Sequence, residues 1–189
     1  MTRDEFWHII DETPPEYNAR LDALTERFSR LPTEALFEFY HQYVGVLVEA
    51  LRPELRAATG VITDFWESWS DERFNYFVYC LILRGRRPFE AALADPETLA
   101  DVLGPDAGGV LPEGLDLLHL VDEAYRDRTG RNDPCAFEEF KPAPPGAVRR
   151  PRGEGWESAE ELERRFPRLC ARVKGGPAGP GAAPDRGGL

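Results

Sequence analysis

The sequence predicts an all-α protein, a single irregular multi-helix bundle around one apolar helix at about residues 71–84, followed by a disordered C-terminal tail. Apolar residues recur at three- and four-residue steps through most of the chain, and no stretch alternates with period two long enough for a strand. Helix caps and Pro or Gly stops divide those periodic stretches, and no repeat of fixed period suggests a solenoid.

The first helix is expected from Arg3 to Glu12. Thr2 and Glu5 form a capping box, Met1 and Phe6 a hydrophobic staple, and Phe6, Ile9 and Ile10 the buried face. Thr13-Pro14-Pro15 ends it, and Leu21, Leu24, Phe28 and Leu31 mark a second helix up to Pro32. The third starts with Thr33 as cap and carries a stripe of Leu36, Tyr40, Tyr43, Val44, Leu47, Val48 and Leu51. After Arg52-Pro53 the period continues through Leu55, Ala58, Ile62, Phe65 and Trp66, although Gly60 weakens it.

The central helix follows. Ser70 is its cap, Asp71 and Glu72 place negative charge in its first turn, and Trp69 and Phe74 staple its start. From Phe74 to Leu83 it has almost no polar face, so neighbours should cover it on most sides, with Gly85 as an αL stop. Pro88, Phe89, Ala92 and Leu93 then form a short helix, and Asp95-Pro96 caps another that ends at Gly104. A helix over residues 113–129 buries Leu117, Leu118, Val121, Ala124 and Tyr125 and stops at Gly130. Residues 131–155 read as irregular chain lying over the body, Ser158 and Glu161 cap a helix carrying Leu162 and Phe166, and Leu169 lies just past Pro167. One helical domain over residues 1–173 and a Gly- and Pro-rich tail over 174–189 complete the organisation.

Charge divides the chain earlier, between residues 140 and 141. Residues 1–140 hold 28 acidic and 13 basic side chains, residues 141–189 hold 6 and 10, and the whole carries −11. An acidic body disfavours binding along a nucleic-acid backbone, which requires Lys and Arg to displace counterions. Cys80, Cys135 and Cys170 are odd in number and form no Cys-x-x-Cys pair, so neither a disulfide framework nor a thiolate zinc site is expected, and a reducing cytoplasm fits. The opening residues do not read as a secretory signal, and no segment has transmembrane length.

Three carboxylate-x-x-His pairs, Glu5/His8, Glu38/His41 and Asp116/His119, have the spacing that builds di-iron sites in helical bundles. Each nevertheless falls away from its helix's apolar face, which favours a solvated surface where carboxylate and His pair, and no metal site. No Gly-x-Ser-x-Gly elbow is present, and Ser29, Ser68, Ser70 and Ser158 suit helix ends and surfaces. Cys80 reads as inert packing within the central helix, and Cys135 has no His nearby in sequence. Gly108-Gly109 lacks the Gly-Lys-Ser/Thr ending of a phosphate loop, so no cofactor is called for. Arg84, Arg86 and Arg87 complement a helix C-terminus, while Arg149, Arg150 and Arg152 suit a solvated loop. One cluster can line a pocket: Trp66, Trp69, Ser70, Asp71, Glu72, Tyr76 and Tyr79 at the start of the central helix, with Arg84 and Arg86 at its end. Closed core with caps is the competing reading of the same residues.

Ser70-Asp71, Phe74, Phe77, Leu81-Ile82, Gly85-Arg86, Phe89-Glu90-Ala91 and Asp95-Pro96 through Leu99-Ala100 form an ordered series. It resembles the signature of a bacterial family designated domain of unknown function 4240. Phe6-Trp7 with Ile10, Thr129-Gly130, and Trp156 with Phe166-Pro167-Arg168-Leu169 extend the resemblance over residues 1–172. It implies membership and no activity. The family often places Arg and Trp where this chain has Val78 and Cys80, so a polar site built on that Arg would be lost here. Some relatives carry a domain associated with DNA-linked proteins, an analogy to which the acidic charge lends little support.

Together these observations predict a cytoplasmic monomer or homodimer that binds a protein partner or a small molecule, with neither nucleic acid nor membrane as partner. An enzyme using a carboxylate in the aromatic pocket is the alternative, and an acidic immunity-type protein masking a basic toxin is a third reading that follows from charge and size.

Overall fold

A computed structural model describes residues 1–62, 71–102, 117–130 and 158–174, the side chains of residues 71–73 excepted. Every element among the described residues is helical. The order is α1 (Arg3–Asp11), α2 (Tyr17–Arg30), α3 (Thr33–Ala50), α4 (Pro53–Ile62), α5 (Asp71–Leu83), α6 (Arg86–Ala94), a 3₁₀ turn (Pro96–Thr98) running into α7 (Leu99–Val102), α8 (Leu117–Thr129), α9 (Ala159–Arg165) and α10 (Pro167–Lys174).

Local sequence accounts for most of these boundaries. The Thr2/Glu5 and Ser158/Glu161 capping boxes both form, the Asp95 side chain caps the 3₁₀ turn at the Glu97 amide (3.0 Å), and Gly130 ends α8 at φ +63°. Two caps differ from expectation. Thr33 is the first residue of α3, with Pro32 at the capping position and no side-chain cap; proline's fixed φ suits that place. Gly85 has positive φ as required of a stop, but at φ 101° and ψ 175° it lies outside the αL region and serves as the N-cap of α6.

The core is one contiguous apolar cluster. A relay of rings crosses it: Phe28 on α2 meets Phe39 on α3 (centroids 4.7 Å), Phe39 meets Phe6 on α1 (4.9 Å), Phe6 meets Trp7 (5.0 Å), and Trp7 meets Phe89 on α6 (5.1 Å). The buried face of α3 is Leu36, Phe39, Tyr40, Tyr43, Val46 and Ala50, while Val44, Leu47, Val48 and Leu51 are half-buried. The expected stripe is therefore rotated towards Phe39 and Val46, because α3 is covered by α1, α5 and α8 together instead of by one neighbour. α5 packs on α3, α4 and α6 through Phe74, Phe77, Val78, Leu81, Ile82 and Leu83. Its cover is incomplete, since Asn75, Tyr76, Tyr79 and Cys80 are half-buried.

Polar contacts fix the angles between helices. Arg86 donates from Nη1 to Asp4 (2.5 Å) and from Nε to Glu90 (2.9 Å), joining α6 to α1, and Arg3 pairs with Glu49 to join α1 to α3. At the far end Glu97 accepts from the backbone amides of Arg168 (3.0 Å) and Leu169 (3.4 Å), and the Arg168 guanidinium takes both oxygens of Asp101 (2.7 and 2.9 Å). The break at Pro167 thus starts a further helix, which the sequence did not announce. Its N-terminus receives the Glu97 carboxylate, where the helix dipole favours negative charge.

Two buried side-chain donors, Trp7 Nε1 and Arg126 Nε, have no hydrogen-bond partner among the described residues. Trp7 is 1% exposed. Trp7→Phe is therefore expected to leave stability within about 1 kcal/mol of the parent, because relief of an unsatisfied buried donor offsets most of the lost ring volume. Chemical denaturation measures this directly.

Candidate functional site

A groove of about 260 Å³ opens between the start of α2, the C-terminal half of α5, and α7. Phe77, Leu81, Leu83, Leu99 and Val102 supply an apolar lining, and Pro15, Glu16, Tyr17, Cys80 and Arg84 complete the wall. Helical spacing explains the α5 contribution, since Tyr76, Cys80 and Arg84 follow one another at four-residue steps and so share a face. The α2 contribution depends on a turn. Thr13 donates from its hydroxyl to the Ile10 carbonyl (2.5 Å), and buried Arg20 donates to the carbonyls of Pro14 (2.8 Å) and Thr13 (3.3 Å). That arginine ties the link between α1 and α2 and places Glu16 and Tyr17 at the groove.

Hydrogen bonding connects the walls. The Tyr76 hydroxyl bonds with both the Tyr17 hydroxyl on α2 and the Cys80 thiol one turn on. Burial pushes the Cys80 thiol up to about 11, against the smaller opposing pulls of Tyr76 and Arg84. Burial likewise raises the Tyr17 phenol, with the neighbouring Cys80 adding to it. Burial lowers the Arg20 guanidinium, Asp11 and Glu16 counter that effect, and Arg84 adds to it, so the four charges form one local field. The Arg84 and Glu16 side chains make no hydrogen bond or ion pair among the described residues, and α2 begins with neither a side-chain cap nor an acidic first turn.

A thiol at about 11 has roughly 100-fold less thiolate at neutral pH than one at the ordinary 9.0. Iodoacetamide labelling of Cys80, isolated by difference from Cys80→Ala, is therefore expected to be about 100-fold slower than that of a free thiol at pH 7.5 and to accelerate up to about pH 11.

Most of the aromatic cluster expected at the start of the central helix lies outside the described residues. Trp66, Trp69 and Ser70 lie outside the described residues, as do the side chains of Asp71 and Glu72. Tyr76 turns towards Tyr17 and Cys80, whereas Tyr79 packs its ring against Tyr43 of α3 (5.9 Å). Arg84 reaches the groove, and Arg86 is committed to Asp4 and Glu90 in the α1–α6 junction. Sequence reasoning missed Glu16 and Tyr17 and read Cys80 as packing alone. The Tyr76, Cys80, Arg84 spacing was the available signal, while the approach of α2 follows from tertiary structure.

The three histidines stand on the outer faces of separate helices, with partners other than those expected. His8 pairs with Glu12 (3.0 Å), His119 with Glu123 (3.2 Å), and His41 sets its ring edge against Tyr40 (6.1 Å). Glu5 is committed to the Thr2 cap and Glu38 to the Met1 amino group, which leaves the carboxylate one turn on to receive His8. Asp116 lies outside the described residues. Among the described residues no three His, Cys, Asp or Glu side chains gather where they can hold a metal ion, and no helix is long and apolar enough to cross a membrane.

No curated protein and no solved structure matches the chain. The family described as Protein of unknown function (DUF4240) matches residues 1–127, which contain α1 to α7, most of α8, and every residue of the groove. The match stops short of Thr129-Gly130, Trp156 and Phe166 to Leu169, to which the resemblance was extended. Covering about two thirds of the sequence, it shows that the chain belongs to the DUF4240 family.

Proposed function

We propose that this protein acts by binding a small molecule in the groove between α2, α5 and α7, without catalysing its conversion. The observation that carries the reading is the groove itself, an apolar lining with a guanidinium at its edge that has no counter-ion among the described residues. Apolar surface with a few placed polar groups is the usual make-up of a ligand site. Binding is favoured over acid-base or nucleophilic chemistry by the titration of its walls. Cys80 and Tyr17 are both displaced towards staying protonated at neutrality, opposite to the displacement that makes a nucleophile or base.

Anilinonaphthalene sulfonate, an apolar anion that fluoresces when it leaves water, tests this in the 189-residue chain. Its fluorescence should rise and saturate with the native protein and be lost in Cys80→Trp and Val102→Trp, which fill the groove from half-buried positions, while the thermal midpoint is retained. Equal fluorescence from the parent and both folded variants would overturn the reading.

A further inference from the structure

We infer that the α9–α10 pair is a clamp on the groove: docked, it holds α7 in place for ligand binding, and its release weakens that binding. This rests on the groove being a binding site. Residues 96–102 join the two regions. Leu99 and Val102 of α7 form part of the groove wall. On the same short segment Glu97 accepts from the Arg168 and Leu169 amides at the start of α10, and Asp101 takes the Arg168 guanidinium with both oxygens. α10 packs on α4, the 3₁₀ turn and α7, and α9 packs on α4.

By itself α7 cannot hold this position. It is four residues long, and a single helical turn fixes more backbone freedom than its hydrogen bonds return. Packing must therefore place it, and α6, the 3₁₀ turn and α10 supply that packing. The clamp is a unit: Lys174 pairs with Glu163, and the Cys170 thiol donates to the Leu162 carbonyl (3.8 Å), so α9 and α10 dock together. Its grip is limited. Leu162, Phe166, Leu169 and Cys170 are the buried side chains it contributes, and the Arg168–Asp101 pair is exposed on both sides, where salt screens it. An attachment through so few buried side chains opens at much lower cost than the whole core, so release of the pair precedes global unfolding. α10 also lies past residue 127, where the family match ends, whereas α7 and every groove residue lie before it.

Titration of the 189-residue chain with anilinonaphthalene sulfonate, combined with hydrogen exchange of the α10 amides, tests the clamp. Leu169→Asp, which puts a charge under the buried face of α10, should release the pair and weaken the probe about tenfold, within the usual range of coupling between two sites. Arg168→Glu repels Asp101 from an exposed position and leaves the apolar face intact. It should weaken the probe to a smaller extent, and its difference from the parent should shrink as salt is added. Coupling is reciprocal, so in the parent a saturating amount of the probe should slow exchange of the α10 amides by the factor that Leu169→Asp costs in affinity. Released α10 with unchanged affinity, or α10 exchange indifferent to the bound probe, would overturn the clamp and leave the groove reading standing. Should Leu169→Asp unfold the chain, Arg168→Glu decides, and parental affinity in that variant would overturn the clamp. A parent that does not bind the probe overturns both.

Discussion

Gly85→Ala is expected to lower the free energy of unfolding by about 2–4 kcal/mol, a large share of a small domain's stability. Two independent causes contribute. At φ 101° and ψ 175° the backbone occupies a region that is essentially restricted to glycine, and forcing an L-residue there costs about 1–3 kcal/mol. A methyl group at this position also runs into Asp11 Oδ1, which accepts a hydrogen bond from the Arg86 amide (3.0 Å). Asp11 stands in for the missing side-chain cap of α6 from the end of α1, so displacing it removes a contact worth about 1 kcal/mol. The separation is measurable. Asp11→Ala alone should cost about 1 kcal/mol, and the double variant should cost less than the two single changes together, because the collision disappears with the carboxylate. Strict additivity in that cycle would mean that the close approach of Asp11 does not matter.

Phe39→Ala should cost about 3–5 kcal/mol, the range for truncating a fully buried aromatic. Phe39 is wholly buried and touches both Phe6 and Phe28, so it holds the middle of the ring relay joining α1, α2 and α3. Phe37, two residues away and only half-buried, provides the internal comparison: its ring meets Tyr125 of α8 (5.5 Å), and its truncation should cost markedly less. Urea denaturation of both variants decides this. Equal losses would show that the buried face of α3 lies nearer to the one expected from periodicity alone.

That comparison marks how far sequence reasoning reaches. Capping boxes at Thr2 and Ser158, the Asp95-Pro96 start and the Gly130 stop were legible because each depends on residues within one turn. Helix faces were legible to within a rotation. From Leu36 to Leu51 eleven of the sixteen residues are apolar or aromatic, so the 3.6-residue period leaves the buried side underdetermined until neighbouring helices choose it. Gly85 shows the same limit in a different form. Its need for positive φ was readable, but the reason for its exact backbone conformation is a carboxylate 74 positions earlier in the chain, at Asp11.

For the candidate site the balance is less favourable. Arg84 was selected for its position at a helix end and Tyr76 as part of an aromatic cluster; Arg84 lines the groove, and Tyr76 bonds two residues of its wall, Tyr17 and Cys80, for reasons that a single helix cannot supply. Tyr76 reaches across to Tyr17, and Arg84 shares the groove wall with the start of α2, whose preceding turn Arg20 holds through the Pro14 and Thr13 carbonyls. Cys80 shows how identity and environment separate. A half-buried thiol in apolar surroundings is chemically quiet, as the sequence suggested, yet the same half-burial places it on the wall of the groove.

The central claim, that the groove is where this protein meets its ligand, is tested most directly by methyl NMR on Leu- and Val-labelled chain titrated with anilinonaphthalene sulfonate. Resonances of Leu81, Leu83, Leu99 and Val102 should shift in a saturable manner, while those of Leu24 and Leu36, buried elsewhere in the core, stay in place. Saturable shifts that leave those four groove residues unmoved, or a complete absence of shifts, would contradict it.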